Sequence, residues 1–105
     1  MEVEITSPEP GALVTTPLTV SGRAKGGWFF EGSLPVKLLD PSGHVLAEAP
    51  GQAQGEWMTS DWVTFEATLT FAVPATTTGT LVISKDNPSD LPEKDAEFRV
   101  SVRLR

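Results

Sequence analysis

Apolar and polar residues alternate with a period of two along most of the chain, the signature of half-buried β-strands. Over residues 62–71, Val63, Phe65, Ala67, Leu69 and Phe71 share one face, and Thr64, Glu66, Thr68 and Thr70 share the other. This predicts a long strand with one wet face. Residues 98–104 repeat the pattern, with Phe98, Val100, Val102 and Leu104 inward and Arg99, Ser101 and Arg103 outward. Leu18, Val20, Gly22 and Ala24 form a smaller apolar face within 17–24, and Leu34, Val36 and Leu38 form another with Lys37 outward. Residues 3–6, 45–49 and 81–85 are shorter candidates.

Turn chemistry separates these runs. Ser7-Pro8, Pro10-Gly11, Gly26-Gly27, Pro50-Gly51 and Asn87-Pro88 are turn dipeptides. Asp40-Pro41-Ser42-Gly43 fits a type I turn that joins 34–39 to 45–49 as a hairpin. Proline and glycine interrupt every window long enough for a helix except 91–98, which has room for one turn. About seven short strands without a repeat or linker predict a single domain over 1–105. The predicted fold class is all-β: an antiparallel β-sandwich with Greek-key connections.

Composition narrows the function more than the fold. A chain of 105 residues buries enough surface for one core without staples. It has no cysteine, which excludes disulfides, thiol nucleophiles and thiolate metal sites. Eight basic against fourteen acidic residues give a net charge of −6, so nucleic acid and anionic membrane surfaces are poor partners. The basic residues are scattered, and only Arg99, Arg103 and Arg105 share a strand face. They are expected to balance neighbouring acids and not to hold phosphate. No apolar run approaches the ~20 residues of a membrane helix, so no direct membrane insertion is expected. Met1-Glu2-Val3-Glu4-Ile5 reads as a strand and carries no basic-then-apolar signal region.

Several words of the sequence are familiar in this order. They begin with Ser7-Pro8, Pro10-Gly11 and Pro17-Leu18-Thr19-Val20-Ser21-Gly22, then Trp28-Phe29-Phe30-Glu31 with Pro35-Val36, and Gly55 with Trp57-Met58. They continue with residues 65–71, Gly79-Thr80-Leu81, residues 85–89, Leu91-Pro92-Glu93 and Asp95-Ala96-Glu97. Together they resemble the immunoglobulin-like domain of bacterial spore germination, the second type of domain attached to GerMN domains. The resemblance implies a non-catalytic β-sandwich without a cofactor, extracellular or in the cell envelope of a bacterium.

Candidate binding residues are aromatic. Trp28, Phe29 and Phe30 lie between glycines at a predicted strand connection, where they could form a platform for sugars or a protein partner. The competing reading has them plug the end of the core. Alternation places Trp62 outward, beside Trp57 and Met58, unless a bulge or an overlying loop returns it to the interior. Asp86, Asp90 and Asp95 lie in an acidic segment that offers oxygen ligands for calcium, although its spacing matches no EF-hand loop and a solvated loop is the simpler reading. His44, the only histidine, follows a turn and brings no metal cluster or serine base with it. Glu31 and Asp61 are the carboxylates a small glycan hydrolase would need to bring together. The leading expectation is a binding module that contacts a protein or wall polymer. The alternative is a structural spacer, which predicts buried aromatics and termini at opposite ends.

Overall fold

The computed structural model describes residues 2–72, 77–86 and 96–105. Among these, eight strands run as β1 (Val3–Ser7), β2 (Leu13–Val14), β3 (Leu18–Lys25), β4 (Ser33–Leu39), β5 (Val45–Ala53), β6 (Trp62–Leu69), β7 (Thr78–Ser84) and β8 (Glu97–Leu104). They hydrogen-bond in the order β1-β3-β6-β5-β4-β7-β8-β2, all antiparallel except the short β2–β8 pair. β1, β3 and β6 make one layer and β4, β7, β8 and β2 the other, while β5 pairs with β4 and then with β6. The sheet thereby curls on itself into the β-sandwich that the alternation predicts.

The inward faces are those read from the sequence. Across β3 and β6, Val20 pairs with Ala67, Gly22 with Phe65 and Ala24 with Val63. Leu38, Leu81 and Val100 line up across β4, β7 and β8, as do Val36, Ile83 and Phe98. Every member is buried apart from half-buried Phe98, and together they form one core. Phe29 meets Phe65 edge-on at 6.2 Å, linking the chain end of the sandwich to its middle.

Val82 departs from the alternation. It points outward from the central strand β7, yet only 3% of it is exposed. Its direct neighbours on that outer face are Lys37 and Arg99. Their aliphatic stems can cover a valine while their charged ends reach water.

Three elements differ from the expectation. Pro50-Gly51, expected as a turn, lies inside β5. Pro50 opposes Pro35 outside the β4–β7 and β5–β6 ladders, so neither missing N–H interrupts a ladder with a second neighbour. Gly51 is needed there because a Cβ would sit 2.8 Å from Leu34 and 2.9 Å from Phe65. Gly26-Gly27, also expected as a simple turn, opens a 3-10 turn over Gly26–Trp28. The parallel pair β2–β8 has no alternation long enough to announce it. The possible helical turn within 91–98 falls mostly outside the described residues. No helix among the described residues is long and apolar enough to cross a membrane.

Candidate functional site

The candidate aromatics gather at one end of the sandwich because two connections pack backbone against backbone. The Gly26 N–H donates to the Asp61 carbonyl at 3.0 Å, and a Cβ on Gly26 would stand 1.9 Å from the Thr59 carbonyl oxygen. Only glycine permits this approach. The segment 54–61 is thus held against the 3-10 turn and the chain leading to β4. The Asp86 N–H donates to the Trp28 carbonyl at 2.9 Å and ties the end of β7 to the same corner.

Within this corner the aromatics separate. Trp28 and Phe29 are 2% and 5% exposed, so they belong to the core and offer no platform. The chain from Gly26 to Phe29 turns their rings inward, and the Trp28 indole N–H donates to Glu2 Oε1 at 2.9 Å. Phe30 is 44% exposed. It is presented by a two-residue turn in which Glu31 and Gly32 both have positive φ, 51° and 79°. Phe30 and Ser33 exchange both backbone hydrogen bonds across it. Such turns prefer asparagine or glycine at both central positions, so Glu31 is held at some conformational cost.

Trp57 is half-buried against the core, and its Nε1 would lie 3.5 Å from a Cβ placed on Gly32. It therefore abuts the turn that carries Phe30. Met58, beside it, is 76% exposed. Phe30, Trp57 and Met58 are apolar side chains that the two loops carry at this corner, Phe30 and Met58 exposed and Trp57 half-buried. Of the first trio of candidates only Phe30 is exposed.

Trp62 points outward in an unshifted ladder, directly opposite Lys25. No bulge interrupts the β3–β6 ladder there, and Trp62 is half-buried. The Arg23 guanidinium stands 4.4 Å from the ring centroid and the Lys25 ammonium 4.7 Å, so two cations occupy the aromatic surface. Arg23 is neutralised by Glu4 at 2.9 Å. The scattered appearance of the basic residues in sequence is thus corrected: Arg23 and Lys25 share a face, and Lys85 lies at the same end. Alternation could have found the first pair, because residues two apart on a strand point the same way. Nothing local signals Lys85.

Other candidates are placed more simply. Of the calcium candidates, Asp86 is half-buried at the end of β7, while Asp90 and Asp95 lie outside the described residues. Among the described residues no three His, Asp or Glu side chains converge as metal ligands. Glu31 and Asp61 are both exposed, on the two separate loops of the corner. Arg99 pairs with Glu97 at 2.8 Å, and Arg103 donates to the Gly11 carbonyl at 3.0 Å. His44 is exposed and, among the described residues, pairs with Asp40 at 3.3 Å.

A search of curated proteins finds no match for the chain. The profile of the immunoglobulin-like domain of bacterial spore germination matches residues 2–91, an all-β family whose fold is not a known catalytic one. The span covers the curled sheet from β1 through β7 and both loops of the aromatic corner, and the chain belongs to this family of immunoglobulin-like domains.

Proposed function

We propose that the domain is a non-catalytic binding module of a bacterial cell-envelope or spore-associated protein, and that it contacts a wall polymer or protein through its aromatic corner. The observation that supports this reading is the set of apolar side chains Phe30, Trp57 and Met58, carried by two loops that the core holds in place. Apolar side chains on rigidly seated loops are a common form of recognition surface. Nuclear magnetic resonance tests it directly, since three tryptophans give three indole N–H signals. Peptidoglycan fragments or wall polysaccharide should shift the Trp57 signal saturably, and Phe30→Ala with Met58→Ala should abolish the shift while leaving the thermal midpoint nearly unchanged.

A second reading, the spacer, has its own support. Glu2 lies beside the Lys25–Trp28 corner, whereas β8 starts at that corner and carries Arg105 to the opposite end beside Val14. Neighbouring domains attached at these points would be held in line. An unmoved and fully protected Trp57 indole in the titration would favour the spacer over the binding module.

A further inference from the structure

At the same corner lies a pocket of about 280 Å³ lined by Glu2, Lys25, Gly27, Trp28, Ser60 and Lys85. Two of these described lining residues are lysines, in a chain of net charge −6. Neither lysine forms an ion pair among the described residues, where the pairs are Arg23–Glu4, His44–Asp40 and Arg99–Glu97. The pocket's carboxylate is already engaged, because Glu2 Oε1 accepts the Trp28 indole N–H at 2.9 Å. Lys25 is held at the rim by the Trp62 ring, 4.7 Å from its centroid. That contact keeps the ammonium from swinging freely into solvent. Lys85 is anchored at its backbone, where its N–H donates to the Ala96 carbonyl at 2.8 Å.

We propose that this pocket is an oxyanion subsite that takes the carboxylate of an acidic amino sugar in a wall glycan. The proposal rests on the binding-module reading and names the ligand chemistry of its corner. Lys25, Lys85 and Ser60 bring two cationic side chains and a hydroxyl donor to the lining of one concavity. Each lysine ammonium acts as a compact point charge with three donors. The overall negative charge and Glu2 in the wall repel a dense polyanion, so a polymer with sparse carboxylates fits better than a phosphate-rich one. The sugar ring that bears the carboxylate would then lie at the corner whose loops carry Phe30, Trp57 and Met58.

The test is a titration of the ¹⁵N-labelled domain with four probes: N-acetylmuramic acid, N-acetylglucosamine, N-acetylglutamate and inorganic phosphate. N-acetylmuramic acid should move the Trp28 indole and the Gly27 and Ser60 amides, with N-acetylglucosamine at least about tenfold weaker there. Lys25→Gln and Lys85→Gln should each weaken N-acetylmuramic acid about tenfold. Both side chains are half-buried, and an unchanged core methyl spectrum checks that each variant keeps the fold. An equal response to N-acetylglutamate would assign the pocket to acidic peptides, and a stronger one to phosphate would assign it to phosphate-bearing polymers. Either result overturns the proposal. If Trp57 shifts with both sugars while the pocket signals stay still, the subsite is refuted and the binding module stands.

Discussion

Two connections at opposite ends of the sandwich are held in opposite ways. At the far end, β4 and β5 are joined by a turn that satisfies itself: the Gly43 N–H donates to the Asp40 carbonyl at 3.0 Å, and Asp40 Oδ1 accepts from the Ser42 and His44 N–H groups at 2.9 Å each. All partners lie within five consecutive residues, and the turn stands in solvent. At the aromatic corner, by contrast, the contacts that tie its loops together join parts of the chain remote in sequence: Gly26 to Asp61, Trp28 to Glu2, Asp86 to Trp28 and Lys25 to Trp62. A locally closed turn can be altered without consequence elsewhere. A corner built from remote partners concentrates diverse side chains in one place, which is what a recognition site requires, and it fails as a unit when its packing is disturbed.

The largest effect should therefore come from Gly26→Ala. Its Cβ would meet the Thr59 carbonyl at 1.9 Å and the Trp57 carbonyl at 2.7 Å, both backbone atoms that cannot rotate away. We expect a loss of about 3 kcal/mol in urea unfolding, with displacement of the 54–61 loop. Gly27→Ala is the matched control, since nothing lies within 4 Å of its Cβ position. It should change stability by less than about 0.5 kcal/mol. Equal costs for the two substitutions would show that the corner is not held by this close approach.

Next in size is Trp28→Phe, which keeps an aromatic ring in the core but removes the donor to Glu2. Loss of volume and of a hydrogen bond to a charged group should cost about 1–3 kcal/mol. Glu2→Gln retains an acceptor and should cost about 1 kcal/mol or less. A double-mutant cycle between the two positions isolates the bond itself. Zero coupling would mean that Trp28 is held by packing alone.

The same contrast explains which parts of the protein were legible in its sequence. Asp40-Pro41-Ser42-Gly43 announces its hairpin because every physical cause of the turn lies within it. Strands β6 and β8 were equally plain, since burying one face of a strand imposes a period of two. Pro50-Gly51 misled, because its glycine serves a tight approach to Leu34 and Phe65 from other strands, which a local reading takes for a turn. Trp62 was half legible: register put it outward, while the cations that cover it come from β3. The separation of Phe30 from Trp28 and Phe29 and the approach of Lys85 to Lys25 depend on how the corner packs, and no spacing encodes that.

Trp62→Leu sharpens the comparison at a smaller scale. Val82 and Trp62 are both outward apolar residues flanked by two basic side chains. Val82 offers only methyl groups for the stems of Lys37 and Arg99 to cover, whereas the Trp62 ring attracts the charged heads themselves. Leucine at 62 should keep the coverage and lose the attraction, costing about 1 kcal/mol in thermal unfolding. The Lys25 side chain should also gain mobility in ammonium-detected relaxation. An unchanged Lys25 would mean that the ring does not hold it.

The smallest effect belongs to the far turn and depends on pH. The His44 backbone N–H bound to Oδ1 is the main cause that holds the Asp40 carboxyl below its usual range, with the Ser42 N–H and the His44 side chain adding to it. A carboxyl with a lowered folded-state pKa contributes stability that is complete above the ordinary aspartate value. The contribution is lost as pH falls through the lower, folded value. Amide spectra recorded from about pH 6 down to about pH 2 should show the Ser42 and His44 N–H signals moving together, with a midpoint below that of a model aspartate. Asp40→Asn should abolish this common transition, because an amide oxygen accepts the same bonds but does not titrate. It should leave the Gly26 and Asp86 amides at the aromatic corner where they were, since their partners lie at the other end of the sandwich. If those amides move with the substitution, the two ends are coupled and the division between a local turn and a cooperative corner does not hold.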